Sequence, residues 1–148
     1  MNLLVYSFKT FPYKKEIEDI FPSIFYFYKL TKDIETFKQL IIQNKPDYVV
    51  GIAFKKYGQS CFEPQTVNIF NKKAKITRNG IDSYNLFIPT YLNFKTSNYQ
   101  SRSFCNWTMY KVSEFINWQH LATKLIFTHI SRKDIIHLRK FYENCFSL

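Results

Sequence analysis

Glycine is scarce in this sequence, which has 3 glycines and 5 prolines in 148 residues. Neither a GxGxxG nor a GxxxxGK[ST] motif occurs, and this excludes the usual glycine-rich phosphate-binding loops of nucleotide-binding proteins. So little glycine and proline also argues against a loop-dominated chain or a repeat scaffold. The length falls within the usual range of one domain, so we expect residues 1–148 to form a single domain.

Cysteine is scarce as well, with Cys61, Cys105 and Cys145 the only three. An odd number of widely spaced cysteines does not suggest a disulfide framework and is typical of a reducing compartment. No pair of cysteines or histidines has the spacing of a zinc finger or zinc ribbon, so we expect neither a metal site nor a cofactor.

Long hydrophobic runs are also missing. None approaches the ~18 residues that indicate a transmembrane helix. The first eight residues lack the basic start of a signal peptide, and Lys9 follows them directly. We therefore expect a soluble, cytoplasmic protein that has no membrane partner.

The chain is rich in hydrophobic residues (46%), in aromatic residues (20%) and in positive charge, with a formal net charge of +10. Enough apolar residues are present to form a folded core. The charge would attract polyanions such as nucleic acid, and aromatic side chains can stack on bases. However, the basic residues are scattered in pairs, and an AT-rich coding sequence would give the same composition. Both interpretations of the charge remain open.

Hydrophobic periodicity predicts alternating strands and helices. Strands are predicted at residues 2–6, 24–30, 48–54 and 121–128, and helices at residues 14–21, 33–44, 106–117 and from Ser131 onwards. We expect Thr31 to cap the second helix, and Ser131 with Asp134 to form a capping box for the last one. The continuous apolar run 48–54 is typical of a strand buried on both faces. This pattern predicts a three-layer α/β/α fold with a mainly parallel central sheet.

Sites in such sheets lie at the carboxyl ends of the strands. Cys105 directly precedes a predicted helix, whose N-terminus favours the thiolate form of a cysteine. His129 follows a predicted strand, and Glu63 follows another, at the same edge of the sheet. A thiolate, an imidazole and an orienting carboxylate are the groups needed for amide cleavage. The alternative is that Cys105 simply packs in the core, as most free cysteines do.

Several short segments match, in order, the sequence blocks of one enzyme family. The most specific is Phe104-Cys105-Asn106-Trp107, with Ser97-Asn98 before it and Tyr110 after it, and the others are residues 3–11, 45–51, 63–68 and 127–130. By these segments the chain resembles the pyroglutamyl peptidase I (pyrrolidone-carboxylate peptidase) family. The 24-residue step from Cys105 to His129 and the five-residue step from Glu63 to Asn68 are those of the family.

The resemblance implies a role for each of five residues. Cys105 would be the nucleophile, His129 the general base and then acid, and Glu63 the carboxylate that orients His129. Phe8 and Phe11 match two phenylalanines that sandwich the pyrrolidone ring, and a flat lactam stacks well between aromatic faces. The implied activity is removal of an N-terminal pyroglutamyl group, or a similar small flat group, from a peptide substrate. The resemblance also implies a homo-oligomer and no cofactor.

The chain departs from the family at the substrate pocket. Phe54 stands where the family has a glutamine, and Lys75 stands where it has an arginine near the oxyanion site. Phe104, beside the nucleophile, completes the candidate substrate-binding residues. The segment from Glu63 to Cys105 is shorter than in the family and is predicted to lack one helix. An alternative function therefore remains, namely a weak or inactive relative that acts as a basic binding protein, for example for nucleic acid.

Overall fold

The computed structural model describes residues 1–71, 74–101 and 103–146. The strands are β1 (Leu3–Phe8), β2 (Ile24–Phe27), β3 (Tyr48–Phe54), β4 (Cys61–Phe62), β5 (Gln65–Val67), β6 (Ser83–Asn85), β7 (Lys95–Thr96) and β8 (Lys124–Ile130). The helices are α1 (Lys14–Glu18), α2 (Leu30–Asn44), α3 (Phe104–Trp118) and α4 (His137–Phe146), with a 3-10 turn at Arg132–Asp134.

Six strands form the central sheet in the order β2-β1-β3-β8-β4-β7. The first four are mutually parallel, whereas β4 runs antiparallel to β8 and carries β7 as its parallel neighbour. Strands β5 and β6 form a separate antiparallel pair. The prediction of an α/β fold with a mainly parallel sheet is therefore confirmed.

Two hydrophobic clusters cover the two faces of the sheet and create three layers. Ile17 of α1 and Leu138 of α4 pack with Val50 and other strand residues on one face. On the other face, Phe37 of α2 and Met109 of α3 pack with Phe127 and its neighbours. Strand β3 is buried on both faces, as the continuous apolar run predicts. No helix within the described ranges is long and apolar enough to cross a membrane.

For two of the predicted helices, the start is wrong because a carboxylate binds nearby polar groups. Helix α2 begins at Leu30, so Thr31 lies inside it, and the Asp33 carboxylate instead accepts the backbone N–H groups of Tyr28 and Lys29. At the last helix, Asp134 accepts hydrogen bonds from the hydroxyls of Ser131 and Ser60. These bonds hold a 3-10 turn against the loop before β4, and α4 begins only at His137.

Strand boundaries also shift, and one shift affects the site. Strand β8 covers Lys124–Ile130 rather than residues 121–128, so His129 lies within the strand and not after it. Strand β1 extends to Phe8, and β2 ends at Phe27. Between β5 and α3 the described residues contain no helix, in agreement with the short segment seen in the sequence.

Candidate active site

The pairing of β4 with β8 brings Glu63 to His129. Cys61 and Phe62 pair with His129 and Thr128, and the backbone N–H of Glu63 continues the ladder by donating to the carbonyl of Phe127. Because side chains alternate along a strand, Cys61 and Glu63 share the face from which His129 projects. The His129 Nδ1 atom lies 2.8 Å from Glu63 Oε1, a hydrogen bond between a partly buried ring and a carboxyl group that is 3% exposed.

Cys105 reaches the same histidine from the first turn of α3. The helix begins at Phe104 with Ser103 as its N-cap, so the predicted start after Cys105 is two residues late. Cys105 and His129 line the same cavity, and the Cys105 thiol helps to raise the pKa of His129. The first backbone N–H groups of a helix have no partner within the helix, so those around Cys105 can donate to an anion that forms there.

The surroundings of His129 stabilise its charged form. Burial opposes a charge on the ring and would lower the pKa, but hydrogen bonds with Cys105, Cys61 and Glu63 and the charge of Cys105 outweigh it. Together they raise the pKa of His129 from 6.5 to about 11. These interactions favour the imidazolium form of His129.

The start of α3 is fixed by Asn106, the residue after Cys105. Its side chain is fully buried and donates to the backbone carbonyls of Val67 and Ile69. It also accepts hydrogen bonds from the hydroxyl of Thr66 and the backbone N–H of Val67. Asn106 thus ties the helix that carries Cys105 to the strand that follows Glu63. The sequence signal was the Cys-Asn pair, but no role for the asparagine could be derived from it.

A cavity of about 320 Å³ gives access to the cysteine and the histidine. Its lining residues are Phe8, Thr10, Phe11, Ala53, Phe54, Ser103, Phe104, Cys105 and His129. Two larger clefts, of about 490 and 630 Å³, lie elsewhere and include neither Cys105 nor His129 in their walls. The smaller cavity is the candidate site because it alone among these three combines a thiol with an imidazole.

Four of the five candidate substrate-binding residues lie in this cavity as two edge-to-face ring pairs. The ring centroids of Phe8 and Phe104 are 4.8 Å apart, and those of Phe11 and Phe54 are 6.1 Å apart. The fifth candidate, Lys75, is exposed and does not line the cavity. It follows the bridge between Phe70 and Ala74, so the match of Lys75 to the family's arginine does not bring it to the cavity.

Cys61 is a site residue that the sequence analysis missed. Its sulfur atom accepts a hydrogen bond from the ammonium group of Lys55, at 3.7 Å, and lies within 4.8 Å of a ring nitrogen of His129 and a carboxylate oxygen of Glu63. The sequence Cys61-Phe62-Glu63 could have predicted this position, because residues two apart in a strand project from the same face.

Comparison with solved structures identifies the fold. The pyrrolidone carboxyl peptidase of Thermococcus litoralis superposes with a TM-score of 0.70 and 16% identity, over 88% of this chain and 77% of that one. A variant of the Pyrococcus furiosus enzyme gives a TM-score of 0.69 and 17% identity, over 88% and 81%.

The fold is that of the pyrrolidone carboxyl peptidases. No protein-family model and no curated protein sequence matches the chain significantly. At this level of identity, the likeness to pyrrolidone carboxyl peptidases concerns the architecture: a mostly parallel sheet between helices, preserved in a divergent sequence. The chemistry must be argued from the side chains.

The three thiols are expected to react at different rates. Cys105 lines the cavity, whereas Cys61 and Cys145 do not, and burial in α4 raises the pKa of the Cys145 thiol. Near neutral pH, iodoacetamide should alkylate Cys105 at least about tenfold faster than the other two. Peptide mass spectrometry over a time course measures the three rates, with Cys105→Ser as the control. Equal labelling of all three cysteines would contradict an activated nucleophile at position 105.

Proposed function

We propose that this protein is a cysteine peptidase of the pyroglutamyl peptidase type, a shortened and divergent member of that family. One observation supports this most directly: the Cys105 thiol and the His129 imidazole line one cavity, and His129 is hydrogen-bonded to the buried carboxyl group of Glu63. The fold and the order of the matching segments agree with the proposal. A free thiol as nucleophile also suits a reducing, intracellular compartment.

Acylation would begin from a thiolate–imidazolium pair. The Cys105 thiolate attacks the scissile carbonyl carbon, and the oxygen of the tetrahedral intermediate accepts hydrogen bonds from backbone N–H groups in the first turn of α3. As the carbon–nitrogen bond breaks, the leaving amine takes the proton of the His129 imidazolium. The products of this half-reaction are a thioester on Cys105, a neutral His129 and a free amine.

Deacylation would return the site to its starting state. The neutral imidazole of His129 takes a proton from water as the water oxygen attacks the thioester carbonyl. Collapse of the second tetrahedral intermediate releases the carboxylic acid and the Cys105 thiolate. Glu63 holds the ring by its bond to Nδ1 and stabilises the imidazolium, so that the other ring nitrogen faces the cysteine.

The cavity walls favour a small, flat acyl group. Phe8 and Phe104 on one side of the lining and Phe11 and Phe54 on another offer aromatic surface, which suits a planar lactam. The hydroxyls of Thr10 and Ser103 are the polar lining groups besides the cysteine and histidine. We therefore propose a pyroglutamyl residue, or a similar flat N-terminal group, as the substrate of the peptidase.

The decisive experiment is release of a fluorophore from a pyroglutamyl amide by the purified protein. Hydrolysis is expected with the wild type and should be lost in Cys105→Ala, while Cys145→Ser serves as a thiol control far from the cavity. An alanyl amide of the same fluorophore tests whether the flat ring is required. Absence of hydrolysis by the folded wild type, or equal release by wild type and Cys105→Ala, would overturn the proposal.

The substitution Phe54→Gln should increase activity on pyroglutamyl amides. Because Phe54 lines the cavity, an N–H or C=O group of a bound lactam is buried there without a hydrogen-bond partner. Such a group costs about 1–3 kcal/mol of binding free energy. Restoring an amide side chain should therefore raise kcat/KM by roughly tenfold to a hundredfold. The variant Phe54→Leu, which is also apolar, serves as the control and should give no gain. An unchanged rate in Phe54→Gln would show that position 54 does not contact the acyl group.

A further inference from the structure

A third potential ligand group lies beside the Glu63–His129 pair and has no part in the proposed mechanism. Cys61 stands directly opposite His129 in the β4–β8 ladder and two residues before Glu63. One ligand atom from each of these residues, namely a sulfur, a ring nitrogen and a carboxylate oxygen, lies within 4.8 Å of the other two. The three groups come from two neighbouring strands, so the sheet itself holds them together.

An unsatisfied oxygen points independently to a ligand at this cluster. Glu63 Oε2 is buried and has no hydrogen-bond partner among the residues that the structure describes. A buried carboxylate oxygen without a partner is unfavourable, and such groups usually pair with a cation or bind a metal. The other oxygen of the same carboxyl group already bonds to His129.

We propose that Cys61, Glu63 and His129 bind a divalent cation of the zinc type. Thiolate sulfur, imidazole nitrogen and carboxylate oxygen are the ligands of Zn²⁺ and of its analogues Cd²⁺ and Co²⁺, whereas Mg²⁺ and Ca²⁺ require oxygen ligands. Zinc–ligand bonds of about 2.0–2.3 Å bring tetrahedral ligand atoms to within about 4 Å of one another. Small side-chain rotations in this cluster produce that spacing, and water fills the fourth position.

Lys55 would compete with the cation for the sulfur atom of Cys61. Its ammonium group lies 3.7 Å from Cys61 Sγ and must move away when a metal binds. The side chain is only partly buried, so the ammonium group can turn toward solvent. Removing this positive charge by Lys55→Met is therefore expected to strengthen metal binding.

Metal binding would also block hydrolysis. Binding releases to solvent the protons of the Cys61 thiol and of the ligating His129 nitrogen. The cation then uses the lone pairs of His129 and Glu63, so the histidine can no longer transfer a proton to the leaving group or take one from water. This consequence rests on the proposed function, whereas the binding of the metal does not. The experiment below therefore measures binding in a protein that cannot catalyse.

The test is a Co²⁺ titration of the double variant Cys105→Ala/Cys145→Ser, in which Cys61 is the only thiol. One equivalent of Co²⁺ should produce a sulfur-to-cobalt charge-transfer absorption and the intense visible bands of a tetrahedral site, and Zn²⁺ should displace it. Adding Cys61→Ser to this background should abolish the charge-transfer band. Adding Glu63→Gln should weaken binding at least about tenfold, and adding Lys55→Met should tighten it.

Circular dichroism of each variant shows whether it is folded before its titration is interpreted. A folded single-thiol variant without the charge-transfer band would overturn the proposed metal site, as would a band that persists after Cys61→Ser. Hydrolysis of the pyroglutamyl amide by the wild type, assayed with a chelator present, tests the proposed function separately. The two proposals can therefore fail independently.

Discussion

Replacing Glu63 with glutamine is expected to lower kcat/KM on a pyroglutamyl amide by about a hundredfold to ten-thousandfold. Glutamine has nearly the same shape and can still bond to His129 Nδ1, which lies 2.8 Å from the present oxygen. It carries no charge, however, so it no longer stabilises the imidazolium, and its NH₂ group can hold the ring in the wrong tautomer. The loss should appear mainly in kcat, because Glu63 does not line the cavity.

Glu114 offers a matched control for this substitution. It is buried in α3, and its Oε2 atom likewise has no hydrogen-bond partner within the described part of the chain. Its other oxygen lies 3.4 Å from the Lys111 ammonium group, and the residue is not in the cavity wall. Glu114→Gln should leave kcat/KM within about twofold of the wild type. If Glu63→Gln keeps more than a tenth of the wild-type activity, Glu63 does not orient the histidine.

The substitution Asn106→Ala is expected to reduce the free energy of unfolding by about 3 kcal/mol or more. The asparagine amide accepts from Thr66 and from the Val67 N–H group, and it donates to the carbonyls of Val67 and Ile69. Alanine leaves these partly buried backbone groups without a partner, and each such group costs about 1–3 kcal/mol. Urea denaturation followed by circular dichroism measures the change.

A second asparagine in the same helix controls for helix propensity. Asn117 is exposed in the last turn of α3, so Asn117→Ala should change the free energy of unfolding by no more than about 0.5 kcal/mol. Asn106→Ala should also slow alkylation of Cys105 relative to Asn117→Ala, because the helix start is no longer tied to β5. A stability loss below about 1 kcal/mol would show that the hydrogen bonds of Asn106 are replaced by water at little cost.

The sequence predicts the layered fold because buried strands and helices have recognisable patterns of apolar residues. Strand β3 is a continuous apolar run, and the spacing of Ile34, Phe37 and Ile41 in α2 gives one buried helix face. These patterns depend only on which side chains avoid water, so they survive in a sequence that has diverged far from its structural relatives. The four short strands β4 to β7 contain two or three residues each and were not predicted, since such lengths show no periodicity.

Element ends were predicted less well because local side-chain contacts decide them. The run from Leu121 was assigned to a strand, but His120 has a positive φ of 53°, which turns the chain and delays β8 to Lys124. Cys105 was placed before α3 because Ser103 was not recognised as the N-cap. These errors of two or three residues moved His129 out of its strand and Cys105 out of its helix in the prediction.

The candidate site was found from two sources. Cys105, His129 and Glu63 were suggested by their places at the ends of predicted elements, and the resemblance gave each a role. In the structure Cys105 and His129 line one cavity, and Glu63 bonds to His129. Cys61 was missed because its contact with His129 depends on antiparallel pairing between strands 68 residues apart in sequence. Lys75 was chosen by alignment across a shortened segment, where a short insertion or deletion changes which residue reaches the cavity.

The hydrogen bonds that assemble the site join residues far apart in sequence. Glu63 and His129 are separated by 66 positions, and Asn106 and Val67 by 39. A contact of this kind forms only when the intervening chain is already in place, so no short fragment can hold the site together. Loss of activity on heating or in denaturant should therefore follow the same cooperative transition as loss of the fold. In this protein, the rate of hydrolysis would serve as a direct measure of the native population.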